Sequence, residues 1–96
     1  MTYFKRRKDQ NHAELMAAFA SHPAVEVLDL YACGQGTPDL LCAIYGVNVL
    51  VEIKNGPKAG YTDSQVKFNS RWTGPRETVR NMDDVMAVIA KYRGRA

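Results

Sequence analysis

Cysteine is scarce in this chain: two in 96 residues, Cys33 and Cys42, nine positions apart. No CxxC pair and no CxH accompanies them, so the spacing writes neither a zinc site nor a disulfide framework, and two buried or half-buried reduced thiols are expected. Long hydrophobic runs are missing too. The longest uncharged apolar stretch, Leu40 to Val51, holds about 12 residues and is interrupted by Gly46 and Asn48, where a membrane span needs roughly 20. The run Met1-Thr2-Tyr3-Phe4-Lys5-Arg6-Arg7-Lys8 has charge but no apolar segment behind it, so it does not read as a secretory leader. Low-complexity tracts and internal repeats are lacking as well. With 46% hydrophobic and 24% charged residues over 96 positions, the chain reads as a single globular domain, cytoplasmic and not secreted.

Charge of neither sign dominates, since 13 Lys plus Arg against 10 Asp plus Glu leave +3. Placement tells more than the sum. Lys5, Arg6, Arg7 and Lys8 form a basic N-terminal arm (1–9), and Lys91, Arg93 and Arg95 stand at the other end, with 93–96 as a basic tail. Such groups are either solvated ends or phosphate-attracting arms. His12 and His22 stand outside any ligand pattern and read as helix-face or helix-end residues.

Periodicity supplies the elements. Asn11 to Ala20 carries Leu15, Met16, Phe19 and Ala20 at helical spacing, with Asp9 or Asn11 as cap and His22-Pro23 as stop. Val25 to Ala32 alternates with a period near two and predicts a strand; a glycine-rich loop, Cys33 to Pro38, follows. Asp39 to Tyr45 and Val47 to Lys54 flank Gly46 and predict a tight hairpin. Thr62-x-x-Gln65 is a capping box opening a helix to about Trp72. Glu77 to Arg80 predicts a short strand. Asn81 then caps a helix from Met82 to about Tyr92, with Val85, Met86, Val88, Ile89 and Tyr92 inward. The expected order is αβββαβα, an α/β fold with a mixed central sheet flanked by helices.

Alternation puts Glu52 and Lys54 on one strand face, opposite Val51 and Ile53. Alone, E-x-K is an ordinary strand-end pair. The hairpin adds a third group: a Tyr45-Gly46 turn sets Asp39 opposite Glu52, and a Gly46-Val47 turn sets it opposite Lys54. Both registers leave the three on one face, within roughly 5 to 8 Å between backbones. Two carboxylates so close need a cation or a shared proton, and one lysine offsets only part of the repulsion. Oxygen donors beside a lysine suit a hard divalent ion and a phosphodiester: the ion polarises the phosphoryl oxygen and activates water, and the lysine stabilises developing charge.

Pro38-Asp39 followed by Glu52-Ile53-Lys54 resembles the PD-(D/E)xK nuclease signature. Within that superfamily, Gly36-Thr37-Pro38-Asp39-Leu40, Val51-Glu52-Ile53-Lys54, Thr62-Asp63-Ser64-Gln65 and Val79 to Val85 resemble the VRR-Nuc family, across about residues 11 to 92. The resemblance implies a restriction-endonuclease-like core. It makes Asp39 and Glu52 metal ligands with the backbone carbonyl of Ile53, Lys54 the catalytic lysine, and Gln65 a glutamine facing the metal and the nucleophilic water. A capping role for Gln65 competes with that last assignment. Glu14 resembles the family's N-terminal glutamate, which completes a second metal position. The approach Tyr31-Ala32-Cys33-Gly34-Gln35 departs from relatives that carry Arg or Asn there.

The implied activity is a Mg²⁺- or Mn²⁺-dependent DNA endonuclease, structure-selective, resembling the Holliday-junction resolvases of phage and bacterial type that act as homodimers. Two symmetric cuts need two sites related by a two-fold axis. Phosphate contacts are expected from Lys5, Arg6, Arg7, Lys8, Lys58, Lys67, Arg71, Arg76 and the C-terminal basic tail, and Gly34 and Gly36 are expected to let the backbone approach the phosphates. The rival expectations are a DNA-binding module without catalysis and an accessory subunit of a larger nuclease.

Overall fold

The structure, a computed structural model, describes residues 11–56 and 60–95. In chain order it contains α1 (His12–Ala20), β1 (Val25–Asp29), β2 (Leu40–Ile44), β3 (Val47–Ile53), α2 (Asp63–Arg71), β4 (Arg76–Val79) and α3 (Met82–Arg93). The order αβββαβα is the expected one. The strands form one sheet in the order β1-β2-β3-β4, antiparallel at the first two pairings and parallel at the last. Joining two parallel neighbours requires a crossover, and α2 lies within it. Among the described residues no helix is long and apolar enough to cross a membrane.

The strand expected over Val25 to Ala32 stops at Asp29, and Tyr31–Cys33 forms a 3-10 turn instead. Asp29 causes the break: its Oδ1 accepts the Tyr31 N–H at 2.9 Å, a local side-chain turn that competes with strand pairing. The Leu30 N–H then donates to the Asp39 carbonyl at 2.7 Å, which closes the glycine-rich loop against the start of β2.

The hairpin turns at Tyr45 and Gly46, with φ of +50° and +82°, the paired left-handed conformation of a tight two-residue turn. Leu40 therefore faces Val51, which is the first of the two expected registers. On one sheet face Leu40, Cys42 and Ile44 pack with Val49, Val51 and Ile53. Helices α1 and α3 cover that face through Leu15, Phe19, Val85, Ile89 and Tyr92. Met86, expected inward, is 59% exposed: the buried stripe of α3 runs Val85, Val88, Ile89, Tyr92, and Met86 falls one position off it. The Asn81 cap forms as expected, its Oδ1 accepting the Asp84 N–H at 2.9 Å.

Candidate active site

The strand alternation that buries Leu40, Val51 and Ile53 turns Asp39, Glu52 and Lys54 the other way, at the end of the sheet where β3 meets β4. Helix α2 stands over that end, and Gln65 is its one buried residue among those described. Asp39, Glu52, Lys54 and Gln65 are only 4 to 8% exposed. Burying ionised groups is costly unless each finds partners, and here each does.

Asp39 Oδ2 accepts the Ile53 N–H at 2.8 Å. Lys54 Nζ donates to Gln65 Oε1 at 2.7 Å and lies 3.8 Å from Glu52 Oε2. Gln65 Nε2 donates to that same Glu52 oxygen at 3.0 Å. Gln65 acts as the helix cap and reaches the buried charges at the same time. Its Oε1 also accepts the Thr62 N–H at 2.9 Å while its own N–H donates to Thr62 Oγ1 at 3.2 Å, completing the capping box. A carbonyl oxygen has two lone pairs, so one atom caps the helix and holds the lysine.

Glycine explains how α2 comes so near. Gly36 has φ +80°, and a Cβ there would collide with the Ser64 carbonyl. What the missing Cβ of Gly36 admits is the first turn of α2. Gly34, at φ +63°, has open space where its Cβ would be.

Several neighbours of the site were not legible from the sequence. The Tyr61 ring covers Lys54 Nζ at 4.9 Å from its centroid, takes the Arg76 guanidinium at 5.9 Å, and its hydroxyl hydrogen-bonds Thr78. Asn11, expected as a possible helix cap, makes no cap bond; its amide donates to the carbonyls of Arg80 at 3.1 Å and Lys54 at 3.4 Å. That ties the start of α1 to the end of β3. His12, expected on a helix face or end, is 2% exposed. Its Nδ1 lies 3.8 Å from Asp39 Oδ1 and its Nε2 3.7 Å from Asp29 Oδ2. Its position three residues before Leu15 and seven before Phe19 was the available signal, since those spacings share one helix face.

Other expected residues fall elsewhere. Glu14 is exposed and lines a cavity of about 370 Å³ with Asn11, Arg80, Asn81 and Asp83, to which Asp39 and Glu52 do not contribute. Lys67 and Arg71 are exposed one turn apart on α2, next to Trp72, which stacks on Phe68 at 5.7 Å. Lys91 Nζ is spent on Glu77 Oε2 at 2.6 Å. Lys5, Arg6, Arg7, Lys8 and Lys58 lie outside the described residues. Burial pushes the Cys42 thiol up to about 12, whereas Cys33, expected to be buried or half-buried, is exposed because it ends the 3-10 turn rather than a strand.

The groups that could hold a divalent cation are the buried carboxylates of Asp39 and Glu52, the latter 3.8 Å from Lys54 Nζ, and His12, both of whose nitrogens are buried without a hydrogen bond. Among the described residues, however, no three of His, Cys, Asp and Glu converge into a ready-made cage. Compared with family models, curated proteins and solved structures, the chain finds no match.

Proposed function

We propose that this chain is a divalent-metal-dependent DNA endonuclease of VRR-Nuc type, with a PD-(D/E)xK core, acting as a homodimer on branched DNA such as four-way junctions. One observation carries the reading. Asp39, Glu52, Lys54 and Gln65 come from three separated segments, and all are buried together at one sheet end. Packing alone would favour apolar side chains there.

Asp39, Glu52 and the Ile53 carbonyl would hold Mg²⁺ or Mn²⁺, which when bound polarises a phosphoryl oxygen and activates water. Lys54 holds its ammonium where charge develops on the scissile phosphate. Gln65 fixes that ammonium at 2.7 Å and restrains Glu52 from the other side. Tyr61 limits solvent access to Lys54 and so strengthens its charge locally. Lys67 and Arg71 offer phosphate contacts on the exposed side of α2.

A DNA-binding module without catalysis has one observation in its favour: Glu52 and Lys54 are already engaged with Gln65. A cleavage panel separates the two readings. Labelled four-way junction, flap, nicked and duplex DNA are incubated with Mg²⁺ or Mn²⁺, and binding is measured in parallel. The junction should be cut. Glu52→Gln and Lys54→Ala should each slow cutting by about two to three orders of magnitude with binding retained. Four intact substrates alongside normal binding would leave the binding module standing.

A further inference from the structure

We infer that His12 is a metal-facing nitrogen donor of this site, and that it turns the site toward a first-row transition ion such as Mn²⁺ and away from Mg²⁺. The inference rests on the nuclease reading above and deepens it, because oxygen donors alone do not discriminate in this way.

The imidazole sits on the first turn of α1, 2% exposed, with neither ring nitrogen in a hydrogen bond. A buried polar side chain normally finds a partner, and the exceptions call for a physical reason. The distances suggest one. His12 Nδ1 and Asp39 Oδ1 are 3.8 Å apart, too far for a hydrogen bond. Two donors at about 2.1 Å from one ion stand roughly 3.0 Å apart at right angles and roughly 4.2 Å apart on opposite sides. The observed spacing lies between these limits, so the pair can share an ion that neither could hold alone.

The far side of the ring supports the same assignment. Nε2 faces Asp29 Oδ2 at 3.7 Å. A carboxylate on that side orients a metal-bound histidine once it accepts the second ring N–H, which here needs a closure of about 0.7 Å. Tyr31 packs edge-on against the ring at 5.9 Å, which limits its rotation. Asn11, immediately before it, is tied to the Lys54 and Arg80 carbonyls, so the first turn of α1 is anchored to the strand that carries Glu52. Glu14, the other donor on this helix, is exposed and lines a pocket with Asn11, Arg80 and Asp83.

Nitrogen changes which ion binds. Mg²⁺ takes oxygen ligands and keeps several waters, whereas imidazole favours transition ions later in the divalent series. With His12 and Asp39 as the protein donors, water would have to fill most of the shell, since among the described residues no third His, Cys, Asp or Glu converges with them.

The test uses the full chain with MnCl₂ or MgCl₂ in calorimetry, and pulsed electron paramagnetic resonance of the Mn²⁺-loaded protein. The wild type should bind Mn²⁺ at least about tenfold more tightly than Mg²⁺ and show ¹⁴N modulation from a coordinated imidazole. His12→Ala and His12→Gln should lose the modulation and about 10- to 100-fold of Mn²⁺ affinity, with Mg²⁺ affinity changed far less. Asp39→Asn should weaken both ions, which places them at this site. Equal losses for the two ions in folded His12 variants overturn the inference. So does a Mn²⁺-loaded wild type without nitrogen modulation, a reading that needs no variant to fold. A wild type that cuts DNA with either ion, binds both equally and lacks the nitrogen signal removes only the role of His12. A wild type that binds neither ion removes the nuclease reading as well.

Discussion

Replacing Gln65 with alanine separates its two roles by magnitude. The side chain makes three hydrogen bonds: from the Thr62 N–H, from Lys54 Nζ and to Glu52 Oε2. Losing a helix-cap bond costs about 1 kcal/mol. Each bond to a buried charged partner contributes about 1.5 to 3 kcal/mol. The gross loss is therefore about 4 to 7 kcal/mol. Lys54 and Glu52, already 3.8 Å apart, can close on each other and admit water. That should recover roughly half, leaving about 2 to 4 kcal/mol. Since α2 buries Gln65 alone among its described residues, the loss should appear first as local detachment of that helix. Hydrogen exchange at the Val66 to Trp72 amides should accelerate by about 30- to 1,000-fold, with the β3 amides little changed. Thr62→Ala is the control, because it removes the hydroxyl that accepts the Gln65 N–H and leaves the buried contacts in place. Its cost should be about 1 kcal/mol, roughly a fivefold acceleration. If the two variants free α2 equally, Gln65 is only a cap, and its bonds to Lys54 and Glu52 hold nothing together.

Gly36→Ala should likewise displace α2, because its φ of +80° is coupled to a collision with the Ser64 carbonyl. In denaturant titration it should cost clearly more than Gly34→Ala, where a Cβ meets open space and the backbone (φ +63°, ψ −159°) alone costs about 1 to 3 kcal/mol; equal costs would refute the contact. Stability should fall in alkali. Burial raises the Cys42 thiol from 9.0 to about 12; burial, then the hydrogen bond and charge of Glu77, raise the Tyr92 phenol from 10.0 to about 12. Folded groups with raised values hold protons that the unfolded chain releases. Their contribution is complete below about pH 9 and is lost by about pH 12. Denaturant midpoints of the wild type and Tyr92→Phe should converge across pH 10 to 12, and parallel curves would contradict the assignment.

How much of the site was legible follows from what side-chain periodicity encodes. A period of two assigns each strand residue to a face, so Asp39, Glu52 and Lys54 emerge together from the alternation of Leu40 to Lys54. The register within the hairpin does not emerge. Both candidate turns bury the same faces, so the hydrophobic pattern cannot choose between them. A contact outside the hairpin, Tyr45 N–H to the Ala24 carbonyl, and a side-chain bond at its open end, Ile53 N–H to Asp39, accompany the observed register. The early end of β1 was written in Asp29 as a local turn former, but the strand pattern of Val25 to Ala32 outweighed it.

Chain order alone carries the αβββαβα succession, the hairpin and the Thr62–Gln65 cap, because each depends on residues within a few positions of one another. Tyr61 over Lys54, Gly36 against Ser64 and His12 beside Asp39 depend on how helices dock on the sheet. His12 stands 27 positions from Asp39 in the chain. No local spacing relates them. Only the packing of Leu15 and Phe19 into the core brings that turn of α1 to the end of the sheet, so burial rather than motif decides which histidine faces the carboxylates.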